Sequence, residues 1–159
     1  MAAVDERIAK ARQERSIRLD LSYMGITNIP ADIGTLTYLT ELDLTGNMLE
    51  SLPNEIADLD RLVSLYLDDN VFDKFPASVC DIPRLGNLGI SYNRLRGLPK
   101  EIERLTSINQ IDLHSNYLDT LPRVFGRLTE LSRVDISYNE FRKAPAVLWK
   151  LLNLIYLDV

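Results

Sequence analysis

Leu39 to Arg61 reads LTELDLTGNMLESLPNEIADLDR, and the chain returns to this template every 23 residues. Six of the seven prolines keep that step, at Pro30, Pro53, Pro76, Pro99, Pro122 and Pro145. Five asparagines keep it too, at Asn47, Asn70, Asn93, Asn116 and Asn139. A fixed period of roughly 20–50 residues marks a solenoid or array, whose units stack into one long surface.

Within the template, Glu41-Leu42-Asp43-Leu44-Thr45 alternates polar and apolar residues, as a strand with one buried face does. After Pro53, Ile56 and Leu59 stand three apart, a helical or 3₁₀ spacing. Each unit is therefore a strand, a turn and a short helical return. No unit buries its own leucines, so the coils stack, with parallel strands on one face and wider returns on the other. The difference in width curves the stack and puts the sheet on the concave side.

Each asparagine falls where the chain leaves its strand and backbone groups lose their ladder partners. A buried carboxamide offers those groups both donors and an acceptor, which gives the five asparagines a structural role. Proline presets φ near −65° and lacks an N–H, which suits entry into a helical return.

The pattern LxxLxLxxNxLxxLPxxIxxL resembles the leucine-rich repeat family from about Ile17 to Val159. The 23-residue form with LPxxI is similar to the intracellular, Ras-suppressor-like and plant Ras-group-related subclass. It does not match the shorter repeats of bacterial ubiquitin-ligase effectors. The resemblance implies an α/β solenoid, a curved horseshoe with a parallel concave sheet, about six repeats and a partial seventh. It assigns residues 17–159 to the repeats and leaves residues 1–16 for an N-terminal capping helix. It also implies a protein–protein interaction module or scaffold in intracellular signalling or regulation, with small GTPases one example of a partner.

The ends add detail. Val4, Ile8 and Ala11 fall at helical spacing, so Ala3 to Arg15 reads as an amphipathic helix. Its stripe covers the first coil while Arg7, Lys10 and Arg12 face water. Met24 stands where that coil's asparagine would be. The chain closes on LIYLDV, the start of another strand, after the apolar return PAVLWKLLNL. Three readings stay open: a makeshift cap in which Trp149 folds over the last coil, self-association through Trp149 and Leu152, or truncation at Val159 of a longer protein.

The 159 residues suit one domain. A net charge of −5 argues against nucleic acid, which calls for a basic stripe. No apolar run approaches the ~20 residues of a membrane span, and MAAVDERIAKARQERS is too charged for a secretory signal. Cys80 is the single cysteine and cannot form the disulfide caps usual in extracellular members, so the expected location is cytoplasmic.

Three ladders face outward from the strands. Between the leucines stand Asp20, Asp43, Tyr66, Gly89, Asp112, Asp135 and Asp158. Two residues on stand Ser22, Thr45, Asp68, Ser91, His114 and Ser137, and two residues back Arg18, Glu41, Ser64, Asn87, Gln110, Arg133 and Tyr156. The LDLS aspartates are family background. Tyr66 beside Gly89 departs from it, setting a ring next to a gap, with Asp68, Asp69, Tyr92, Asp112 and His114 around it. That composition suits an interface hot spot, with an Arg- or Lys-bearing partner making cation–π contact with Tyr66 or Tyr92. The bland alternative is a tolerated glycine and a half-buried ring. Tyr23, Tyr92 and Tyr138 share a rim position, extended by Met48 and Tyr117.

Catalysis finds little support. His114 is the only histidine, and an open sheet offers no oxyanion hole. One histidine and scattered carboxylates do not close a metal site, and no glycine loop cradles a phosphate. The expectation is a non-enzymatic chain without cofactor. The alternative is the recognition domain of a larger multidomain enzyme, such as a GTPase or a bacterial effector.

Overall fold

The structure is a computed structural model that describes residues 2–159. A 13-residue helix, α1 (Ala2–Glu14), leads into seven three-residue strands: β1 (Arg18–Asp20), β2 (Glu41–Asp43), β3 (Ser64–Tyr66), β4 (Asn87–Gly89), β5 (Gln110–Asp112), β6 (Arg133–Asp135) and β7 (Tyr156–Asp158). They form one parallel sheet in chain order. The register never slips: Leu19 lies opposite Leu42, Leu42 opposite Leu65, and so on to Val134 opposite Leu157. The architecture is a curved leucine-rich repeat solenoid.

The returns are 3₁₀ turns rather than α-helix, at Ala31–Thr35, Asn54–Asp58, Ala77–Asp81, Lys100–Arg104, Arg123–Arg127 and Ala146–Lys150. Each follows a template proline with φ between −72° and −62°. That proline's carbonyl accepts the N–H three residues on, as in Ile56 N to Pro53 O at 3.2 Å. Five-residue turns of this kind end before the poorer 3₁₀ geometry accumulates.

The leucines fill one core from coil to coil, with Phe72 at the position of Leu49 and Phe125 at that of Ile102. The asparagines stitch the coils along its edge. Asn93 Nδ2 donates to Ser91 O (2.9 Å) and Ile90 O (3.3 Å) in its own coil and to Leu67 O (3.0 Å) in the one before. Its Oδ1 accepts Phe72 N–H at 3.0 Å. Asn47, Asn70, Asn116 and Asn139 repeat this arrangement. In the first coil Met24 is half-buried and gives its N–H to Asn47 Oδ1.

Val4, Ile8 and Ala11 are buried against the first coil. Two of the three basic residues expected only to face water also pin the helix. Arg7 donates to Asp20 O (2.8 Å), and Arg12 reaches Asp32 (2.9 Å) and Thr35 Oγ1 (3.0 Å). At the other end the makeshift-cap reading is overturned: Trp149 is 71% exposed and Leu152 92%. A shallow apolar hollow of about 280 Å³ opens there between Leu148, Trp149, Leu154 and Leu157.

Candidate functional site on the concave face

The aspartates between the leucines have a local task. Asp20 Oδ1 accepts Ser22 N–H and Oγ–H at 2.9 and 2.6 Å, and Asp135 Oδ1 accepts those of Ser137 at 3.0 and 2.7 Å. Asp43 and Asp112 cap the N–H of Thr45 and His114 in the same way. These bonds satisfy the backbone at each strand end, a habit of short polar side chains. They hold the Asp20 carboxyl below its ordinary range, the Ser22 hydroxyl being the main cause.

At β3 and β4 this column holds Tyr66 and Gly89 instead, and Gly89 has no side chain with which to cap Ser91. Asp68 crosses from the neighbouring coil and does it. Its Oδ1 accepts Ser91 N–H at 2.8 Å and Oγ–H at 2.6 Å. A Cβ on Gly89 would lie 3.0 Å from Asp68 Cγ and closer still to Oδ2. The gap inferred beside Tyr66 is therefore not open: Asp68 fills it. Burial pushes the Asp68 carboxyl above its ordinary range; the Ser91 bonds oppose the rise and the charge of Asp112 adds to it.

The open space lies further along the sheet, a hollow of about 440 Å³. Tyr66 and Asp68 line it from the β3 coil, Asn87, Gly89, Gln110 and Asp112 from β4 and β5, and Arg133, Asp135 and Tyr156 from β6 and β7. Of the seven residues singled out around Tyr66 and Gly89, Tyr66, Asp68, Gly89 and Asp112 meet here. Asp69 sits exposed on the rim, and Tyr92 and His114 form a separate pair, their rings edge to face at 4.6 Å. His114 Nδ1 lies 2.7 Å from Asp112 Oδ1, which ties that pair to the hollow. The ladders carried Asn87, Gln110, Arg133, Asp135 and Tyr156 without marking them. Arg133 holds its guanidinium 5.0 Å over the Tyr156 ring.

The rim tyrosines occupy a position with a backbone demand. Tyr23, Gly46, Asp69, Tyr92, Ser115 and Tyr138, one per coil, all have φ between +49° and +67°. Each of the first five donates its N–H to the next coil, as Tyr92 does to His114 O at 3.1 Å. The left-handed turn aims the following asparagine inward, and the tyrosine rings stay exposed.

Ligand-type atoms of Asp112, His114 and Asp135 gather within 4.8 Å of one another. Oδ1 of each aspartate is already engaged at its own strand end, and a closed structural metal site takes about four ligands. Cys80 is buried in its 3₁₀ turn, and burial lifts its thiol to about 12, far from a thiolate nucleophile.

The Leucine rich repeat family matches residues 18–72 and 83–141. The chain belongs to that family. Such domains mediate protein–protein interaction, and their open sheet is a surface rather than a reaction chamber. The leucine-rich repeat protein LIC12759 of Leptospira interrogans is 34% identical, with a TM-score of 0.85 over 89% of this chain. The leucine-rich repeat ectodomain of the Arabidopsis thaliana membrane receptor kinase GASSHO1/SCHENGEN3, solved in complex with CASPARIAN STRIP INTEGRITY FACTOR 2, is 30% identical, with a TM-score of 0.79 over 94%. This chain spans 38% and 19% of their respective lengths. No curated protein matches. Among the described residues, no helix is long and apolar enough to cross a membrane.

Proposed function

We propose that this chain is a protein-interaction module that grips one partner on its concave face, between β3 and β7, through a basic surface of that partner. The observation that carries the reading is the hollow itself. It has tyrosines at both ends and carboxylates of Asp68, Asp112 and Asp135 between them, none of which has a lysine or arginine ion-pair partner among the described residues. Aromatic anchors with a polar surround make interface hot spots. The 23-residue step with LPxxI supports the Ras-suppressor-like subclass, and with it a scaffold in cytoplasmic signalling.

Asp68→Lys would disturb the fold, because Asp68 caps Ser91, so the test uses Tyr66→Ala with Asp112→Asn. Asparagine keeps the oxygen that His114 N–H needs. Quantitative affinity capture comparing this variant with wild type should lose the partner while the melting temperature holds. Equal capture by both would move the interface off this face.

A second reading has an observation behind it. The exposed Trp149 and Leu152 favour self-association; light scattering of Trp149→Ser against wild type checks it, and a monomer in both rejects it.

A further inference from the structure

We infer that the concave hollow is an arginine receptor: it takes the guanidinium of one partner arginine, laid against Tyr66 and forked between Asp112 and Asp135, in preference to a lysine. The inference rests on the concave-face reading above and narrows it to one side chain.

Asp112 and Asp135 are register partners on adjacent strands, and their carboxylates approach within 4.8 Å. Each spends Oδ1 on its own strand end, which fixes the carboxylate in place and leaves Oδ2 for a ligand. Two fixed acceptors side by side match a planar fork of N–H donors, whereas an ammonium is a compact point charge.

The aromatic wall favours the same group, because guanidinium stacks on ring faces. The protein already makes this contact in the same hollow, where Arg133 lies 5.0 Å over Tyr156. Arg133 takes the ring and forms no ion pair with Asp135; among the described residues the two aspartates pair with no lysine or arginine, and the His114 imidazole lies against Asp112 Oδ1 alone. The charge of Asp112 also bears on Asp68 across the hollow, and a bound cation would relieve that repulsion. Asp68 occupies the space over Gly89, so a carboxylate borders the hollow between the Tyr66 and Asp112 strands. A volume of about 440 Å³ holds one long side chain and its backbone, not a folded domain.

The test titrates N-acetyl-arginine amide and N-acetyl-lysine amide into isotope-labelled protein and follows the backbone amides of Gly89, Ser91 and His114. The arginine probe should shift all three and bind about fivefold more tightly than the lysine probe. Asp112→Asn/Asp135→Asn retains both capping oxygens, so it should keep the wild-type melting temperature and lose the shifts. Tyr66→Ala should weaken the arginine probe about threefold, from loss of the stacked ring.

Equal response to the two probes, or shifts that survive the double asparagine variant, would overturn the inference. So would zinc chloride producing the same shifts at lower concentration, which would give the hollow to a metal. A random displayed-peptide library separates this failure from failure of the interaction reading. Binders that depend on Tyr66 but carry no arginine sink the arginine receptor alone; no Tyr66-dependent binders sinks both.

Discussion

Replacing Asn93 with alanine removes four hydrogen bonds, yet the structure shows that only one group loses its last partner. Leu67 O keeps Asn70 (3.1 Å), Ile90 O keeps Asn116 (3.0 Å), and Ser91 O keeps the Asp69 N–H (3.0 Å). Phe72 N–H has no other acceptor and lies in the core. One orphaned buried donor costs about 1–3 kcal/mol, and that is the expected loss. For a chain of this length it lowers the melting temperature by about 2–4 °C per kcal/mol. Asn47→Ala is the internal control, and it should cost more. Asn47 Oδ1 accepts both Met24 N–H (3.1 Å) and Ile26 N–H (3.0 Å), and because Met24 replaces an asparagine, Leu21 O has no second amide to fall back on. Urea denaturation followed by circular dichroism gives both values, with an unchanged slope confirming a comparable transition. An Asn93→Ala loss below about 0.5 kcal/mol, or one larger than that of Asn47→Ala, would refute this accounting.

Gly89→Ala should destabilise by about 1–3 kcal/mol, because its methyl meets the Asp68 carboxylate. The pair Gly89→Asp with Asp68→Thr rebuilds the usual column and should recover most of that loss; a strictly additive double variant would count against the crossover. The folded Asp68 carboxyl sits above its unfolded value, so its contribution is fully present below the unfolded pKa of 3.8 and fades as pH rises through the higher folded value. Asp68→Asn keeps the Ser91 acceptor without the charge, so its stability relative to wild type should grow over that acid window, and a flat difference there argues against burial as the cause. Cys80 should resist a thiol reagent at neutral pH in the native state and react on unfolding, whereas rapid native labelling would contradict its burial.

The period exposed the fold because repetition multiplies a weak local signal. A single Leu-x-Leu says little, but the same spacing at Leu42, Leu65 and Leu88 leaves one stacking solution. The columns of outward residues were legible for the same reason, since strict register converts position in the repeat into position on the face. What one residue does across a column was not legible. Nothing in the letters around Gly89 says that Asp68 leans over a strand to cap Ser91, because that depends on side-chain direction and not spacing. The displacement of the hollow toward Arg133 and Tyr156 follows from it. The left-handed rim escaped notice because tyrosine is a poor advertisement for positive φ, whereas Gly46 at the same position is the residue that tolerates it best. The cap reading of Trp149, one of three that the sequence left open, rested on the size of the ring, yet its position on the return points it to solvent.

Because each coil touches only its neighbours and the register is invariant, the coil is also the natural unit of change. A gene that gains or loses 23 codons keeps every asparagine reaching 21 and 26 residues back to a suitable group, whereas a change of 22 breaks the contacts that cross the edited junction. Whole-coil editing therefore leaves folding almost untouched while it moves Tyr66 and Tyr156 apart or together by one strand spacing, about 4.8 Å. Such a lineage can retune what its hollow admits in discrete steps, without passing through an unfolded intermediate.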